Sequence, residues 1–365
     1  VTCYFDTASG EPLHPAAQAA LEQAGAAAYA DPRRLHGPAR KARIVLDNAR
    51  EACAEALELR PEEVTFVPSG THAVHLGVLG LLLGAARTGD RLVATAVEHA
   101  SVMHAGQWHA ARGGRFETTP VDSVGRVLVE AVPSATVLAV QSANHEVGTI
   151  QPIAELAERA PLFMDACASA GRLPLPAGWS AAAASAHKWG GPAGVGLLLV
   201  RKDARWRNPY PGDDRVDERS TGMENVAGAF AAAAALQAVV AERERTGARQ
   251  ARLVDLLRNG VAAIPDTEVV GDPVDRLPHL VTFSFLYVDG EAIVTELDRR
   301  GFAVASGSAC TASTLEPSHV LTAMGALTHG NLRVSLTRET TEAEIERLLG
   351  ELPDVVAKIR AEAGL

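Results

Sequence analysis

Aromatic residues are scarce in this chain, 4% of 365, and cysteine occurs only four times, at positions 3, 53, 167 and 310. None of the four belongs to a CxxC pair, so neither a zinc knuckle nor a disulfide framework is expected. Reduced thiols in a cytoplasm fit best. No dense run of Lys or Arg offsets the net charge of -10, which argues against nucleic acid as a partner. No apolar stretch reaches membrane-spanning length without a charge or a helix breaker, and the alanine tract from Ala229 to Ala235 is too short and too weakly apolar. The opening VTCYFDTASG has no basic region followed by an apolar run, so no signal peptide is expected. A soluble cytoplasmic protein without a membrane partner remains.

What is present is ample core material: 47% hydrophobic and 21% charged residues, enough for two domains. Short apolar runs predict strands at Val64–Val67, Arg91–Ala94, Val137–Gln141, Leu162–Met164 and Val195–Val200. Helix-period segments alternate with them at Ala39–Leu57, Thr71–Leu83 and Ser101–Arg112. This alternation predicts an α/β fold with a mostly parallel sheet covered by helices, and ligands gather at the carboxyl ends of such strands. A proline-free helical region follows from Asn225 to about Gly260, then a strand at Leu280–Phe285, a helix at Gly290–Arg300 and a closing helix broken or kinked near Pro353. The tail therefore reads as a smaller C-terminal α/β domain. We expect a large domain over residues 15–250 and a small one formed by 1–14 and 251–365.

Six segments carry chemistry. In SAHKWGGPAGVGLLLV, Lys188 stands between His187 and a glycine-rich loop entering a buried strand. Surface lysines are common, but burial favours the neutral amine that a Schiff base requires. Asp165 closes the strand of LFMDACASAG. A strand-end Asp is often only a helix cap, yet beside such a lysine its carboxylate can keep a ring nitrogen protonated. Ser69-Gly70-Thr71-His72 joins a strand to a helix, a common turn that also suits a phosphate. His99 follows the strand at 91–94 and is either structural or placed to stack on a planar group. Cys310 lies in SGSACTAST, a run of small residues that builds no core, which suggests an exposed nucleophile; Cys53 and Cys167 read instead as buried small hydrophobes. Arg333 alternates with apolar residues in GNLRVSL, either facing solvent or anchoring a carboxylate. Histidines at 72, 75, 99 and 145 have no acidic or thiol partner at ligand spacing, so no metal is expected.

Taken in order, these segments resemble the NifS/IscS-type cysteine desulfurases of the class V aminotransferase group, pyridoxal-phosphate enzymes of fold type I. YFDTASGEPLHP, DPRRLHGPARKAR, ANHEVGTIQPI, MDACASAG, SAHKWGGPAGVG and RSTGMENVAG follow in family order, and SGSACTASTLEPSHVL with NLRVSLTRETTEAEI are the most specific. The resemblance implies that Lys188 holds pyridoxal phosphate, Asp165 pairs with its pyridine nitrogen and His99 stacks on its ring. It places Ser185 and His187, with Gly70, Thr71 and His72, around the cofactor, and Arg333 and Asn144 on the substrate. Cys310 becomes the persulfide, the substrate is L-cysteine, and a homodimer and a sulfur-acceptor protein are implied. The chain departs from the family at His72, His145, Ala168 and Met223, where polar cofactor contacts are usual. We expect His145 to replace the contact to the phenolic oxygen and His72 to contribute near the phosphate. Another class V enzyme (aminotransferase, epimerase or carbon–sulfur lyase) and a non-catalytic scaffold are the alternatives.

Overall fold

The computed structural model describes residues 2–25, 28–213, 218–306 and 317–364; Cys310 lies outside these. Its strands are β1 (Cys3–Tyr4), β2 (Val64–Val67), β3 (Arg91–Thr95), β4 (Arg115–Thr119), β5 (Val137–Gln141), β6 (Leu162–Asp165), β7 (Ala181–Ser185), β8 (Gly196–Val200), β9 (Thr267–Val270), β10 (Leu280–Phe285), β11 (Phe302–Ala303) and β12 (Asn331–Ser335). The helices are α1 (Pro15–Ala24), α2 (Gly37–Ala56), α3 (Gly70–Gly84), α4 (Ala100–Ala110), α5 (Ile153–Ala157), α6 (Val226–Ala262), α7 (Gly290–Arg299), α8 (His319–Met324) and α9 (Glu342–Glu362).

Seven strands form one sheet in the order β2-β8-β7-β6-β5-β3-β4. From β4 to β7 every pairing is parallel, while β8 runs antiparallel to both β7 and β2. This arrangement brings the carboxyl ends of β2, β3, β5, β6 and β7 to one edge, the expected ligand edge. On one face α3 packs so closely that a Cβ on Gly77 would meet the Phe163 ring at 2.3 Å and one on Gly80 would meet the Trp206 indole at 2.0 Å. β7, which the sequence reading passed over, is built from Ala181–Ala184, all fully buried. Alanine favours helix, but a central strand covered on both faces leaves room only for small side chains, and packing overrides propensity.

β9, β10 and β12 form a separate antiparallel sheet, with β10 central. Its apolar cluster takes Cys3 and Phe5 from the start of the chain and residues from Leu253 to Ile359. Helix α6 serves both cores: Val226 to Leu236 pack against the large sheet's cluster, and Leu253 to Val261 against the small sheet's. By length and composition α6 is apolar enough to cross a membrane, but here its alanine face is buried in the protein core. The short α8 packs on the large sheet's cluster, although its sequence neighbours belong to the small sheet. The break expected near Pro353 does not interrupt α9, which runs through the proline as one helix and is opened by a Thr341–Glu344 capping box.

Candidate active site

At the shared strand edge lies a cavity of about 300 Å³, walled by Lys188, Asp165, His99, His145, Ser185, His187, Gly70, Thr71 and Arg333. Each comes from the end of an element. Asp165 closes β6, and its Oδ1 accepts the backbone N–H of Cys167 at 2.9 Å. Ser185 closes β7, and a single 3-10 turn carries Ala186–Lys188 into the cavity. His99 caps α4: its Nδ1 accepts the Ser101 N–H at 3.1 Å, so a neutral ring carries its proton on Nε2. Burial holds His99 well below the usual histidine range, and the neighbouring His145 adds to the shift.

At one end of the cavity the first N–H groups of α3, on Gly70 and Thr71, have no partner within the helix. Gly70 is obligatory there, because a Cβ would lie 2.8 Å from Ser185 Cβ and 2.9 Å from Cys167 Sγ. Ser185 Oγ and His187 Nδ1 are paired at 3.1 Å beside this end. The donors converge as an anion site requires.

The turn that presents Lys188 is held from outside by the start of the chain. The Glu11 N–H donates to the His187 carbonyl and the His14 N–H to the Gly190 carbonyl, both at 2.8 Å. Arg172 donates to the Lys188 carbonyl at 3.1 Å and to Glu11 Oε2 at 2.6 Å, a buried ion pair. Nothing in the local sequence announces Glu11 or Arg172 as part of a site. Their partners are set by the fold.

Two expected positions prove different. Asn144 is fully buried and does not line the cavity: its Nδ2 donates to the Val97 carbonyl, and its Oδ1 accepts from the N–H groups of Glu146 and Val147. Its amide is consumed in clipping the loop that follows β5. The His72 ring also lies off the cavity, stacked against Tyr210 with centroids 6.1 Å apart, while its backbone N–H is capped by Ser69. His145 does line the cavity, edge-on to His99 at 5.0 Å. Its ring nitrogens face Gln141 Oε1 at 3.4 Å and Glu146 Oε1 at 3.6 Å, so both look toward protein groups. Burial pushes His145 below its ordinary value, against the pull of Glu146.

The reading of Cys167 changes too. Cys53 is the buried small hydrophobe expected, its thiol pushed up to about 12 by burial. Cys167 instead lines the cavity, its thiol raised well above the usual value by burial first and then by Asp165. Ala168, where the family has Gln, also lines the wall; Met223 is half exposed and does not. Ala8, Ser9, Ser101 and Gln141 also line the wall and were not singled out from sequence.

The described residues that flank Cys310 are tied to Arg333 on the cavity wall and to Glu146 and Glu98, the sequence neighbours of His145 and His99. Ala305 pairs with Arg333, whose N–H donates to the Ala305 carbonyl at 2.7 Å. On the far side, Ser318 Oγ donates to Glu146 Oε2 at 2.7 Å, and His319 Nε2 contacts the Glu98 carbonyl at 2.8 Å.

Comparison with known proteins is consistent along the whole chain. Residues 3–348 match the family described as aminotransferase class-V. The chain is 33% identical over 377 residues to the cysteine desulfurase IscS 1 of Archaeoglobus fulgidus, covering 99% of each chain. It is 37% identical over 386 residues to the IscS-like cysteine desulfurase of Mycobacterium tuberculosis, covering 99% of this chain and 98% of that one. Its backbone is similar to that of a cysteine desulfurase from Thermococcus onnurineus, with a TM-score of 0.86 at 22% identity over 98% of this chain and 95% of that one, a likeness that speaks for the fold.

Proposed function

The chain belongs to the class V aminotransferase family, and from that premise we propose that it is a pyridoxal-phosphate-dependent cysteine desulfurase, converting L-cysteine to L-alanine and leaving the sulfur as a persulfide on Cys310. The observation that carries this reading is the convergence of Lys188, Asp165, His99 and Arg333 on one cavity, with Ala305, on the near side of the Cys310 segment, paired to Arg333.

The donor set fits the cofactor. Lys188 would hold it covalently, Asp165 would accept from its ring nitrogen, and His99 would lie against its ring. Its phosphate would take the N–H groups of Gly70 and Thr71 with Ser185 and His187. When bound, pyridoxal phosphate supplies an electron-withdrawing ring in conjugation with the substrate's α-carbon.

Arg333 binds the substrate carboxylate by charge-assisted hydrogen bonds. The Lys188 amine moves the α-proton, and a neutral His99 offers its Nε2–H to the cavity as an acid. Cys310, as thiolate, forms a sulfur–sulfur bond to the substrate's sulfur while the carbon–sulfur bond breaks, its electron pair staying with the carbon, which is then protonated. One L-cysteine and one protein thiol give one L-alanine and one protein persulfide, with no outside oxidant. Asn144 shapes the loop carrying His145 and Glu146 and makes no contact with substrate in this reading.

We also assign residues 15–250 to a large cofactor-binding unit, and 1–14 with 251–365 to a small unit carrying Cys310. The separate apolar cluster of the small sheet supports this division. A cytoplasmic homodimer delivering sulfur to an acceptor protein belongs to the same reading. The test is mass spectrometry of the holoprotein after exposure to L-cysteine, with alanine measured in parallel. We expect a persulfide on Cys310 and stoichiometric alanine. Cys310→Ser should retain the cofactor's absorption band and lose the persulfide; alanine and sulfide release by that variant at the wild-type rate would remove Cys310 from the mechanism.

A further inference from the structure

The guanidinium of Arg333 is gripped from behind. Of its five N–H donors, Nη2 uses both, donating to Asp6 Oδ1 at 3.0 Å and to Ser9 Oγ at 2.8 Å, and Nη1 donates to the His145 carbonyl at 3.3 Å. The Nε–H is buried and has no partner among the described residues. Arg333 is 95% removed from solvent, so an unpartnered donor there carries a desolvation cost until a ligand meets it.

Asp6 is itself fixed. Its carboxylate accepts the Ser9 hydroxyl at 2.9 Å, its carbonyl accepts the N–H groups of Ser9 and Gly10, and it forms an isolated bridge with Ser335 on the strand that bears Arg333. Ser9 and Arg333 line the cavity, whereas Asp6 does not. A ligand entering the cavity therefore meets the guanidinium and the serine hydroxyl, with the counter-charge behind them.

We propose that Asp6, acting with Ser9, is the positioning residue for the substrate carboxylate: it fixes the Arg333 guanidinium at the cavity wall before the ligand arrives. A long arginine side chain has many rotamers, and freezing them before the ligand arrives lowers the cost of binding. The charged pair also compensates the buried guanidinium while the cavity is empty. Asp6 itself does not line the cavity, so its carboxylate holds Arg333 without occupying the ligand's place.

The inference rests on the proposed reading only in taking Arg333 as the carboxylate anchor, and its test does not require sulfur chemistry. Holoenzyme is titrated by calorimetry with L-alanine and with ethylamine, the same skeleton without the carboxylate. Asp6→Ala should weaken L-alanine about tenfold, the scale of one lost charge-assisted arrangement, and leave ethylamine unchanged. Asp6→Asn, which keeps an acceptor of the same shape, should recover most of the loss. An unchanged or tighter L-alanine affinity in Asp6→Ala overturns the proposal, as does equal weakening of ethylamine, which would signal a collapsed cavity. A wild-type protein that does not prefer L-alanine over ethylamine overturns it as well. Alanine production from L-cysteine by the wild type, measured alongside, decides the desulfurase reading independently.

Discussion

The two sides of the cavity, which the proposed reading gives to cofactor and to substrate, are built on opposite plans. The first is a convergence of strand ends from one sheet: Asp165, Ser185 and His99 each follow directly from a buried strand, within close-packed alanine, leucine and valine. The second is an assembly of distant segments: Arg333 on the small sheet meets Asp6 from 327 positions away, and the loop after β5 meets Ser318 from 172 positions away. One sheet fixes Asp165 and Ser185, while the turn that presents Lys188 also leans on the start of the chain. The second depends on the chain's two ends meeting.

Lys188→Ala should break the cofactor side outright. Alanine production should fall on the order of a thousandfold or more, since both the attachment point and the base are lost, and the cofactor's absorption band should no longer shift on borohydride treatment. Gly77→Ala tests the packing beneath that side without touching the cavity. A methyl group 2.3 Å from the Phe163 ring must displace it, so stability in urea should drop by about 1–3 kcal/mol, whereas an equal change at the exposed Gly350 should cost far less.

Glu98 sharpens the comparison through pH. It is fully buried, its Oε1 accepts from Thr95 Oγ1 and the Gln141 N–H, and its Oε2 has no partner among the described residues. Burial pushes its carboxyl up to about 8. The folded protein then holds a proton that the unfolded chain releases near the usual carboxyl value. This contribution to stability is present at low pH, declines above the unfolded value, and is lost as pH rises through about 8. Glu98→Gln should flatten that fall, read from urea midpoints across the window; an undiminished slope would place its origin elsewhere. The smallest effect is expected from His72→Ala. With its ring on Tyr210, cofactor affinity should change by no more than about twofold, whereas a larger loss would bring His72 back to the phosphate.

This contrast explains what the sequence could disclose. Strands β2, β5 and β10 appear at the expected bounds because apolar runs flanked by turn residues encode buried strands directly. β7 was hidden because alanine states a helical preference and only the tertiary position reverses it. Lys188, Asp165 and His99 could be found because Asp165 closes an apolar strand, His99 follows one closely, and Lys188 precedes a glycine-rich loop entering another. Asn144 misled because an amide in a loop looks the same whether it awaits a ligand or ties the backbone. Cys167 was passed over because the character of a thiol depends on what surrounds it, and Asp6 and Glu11 because their partners are remote in sequence.

In the proposed reading, the pairing of Ala305 with Arg333 limits the range over which Cys310 could hand on sulfur. Cys310 is five residues beyond Ala305, and five peptide units cannot span more than about 18 Å however the chain is drawn out. That leash keeps the sulfur-bearing thiol near the place where the substrate's carboxylate is held. On that reading a receiving partner would have to bring its own thiol or nucleophile within that radius of Ala305.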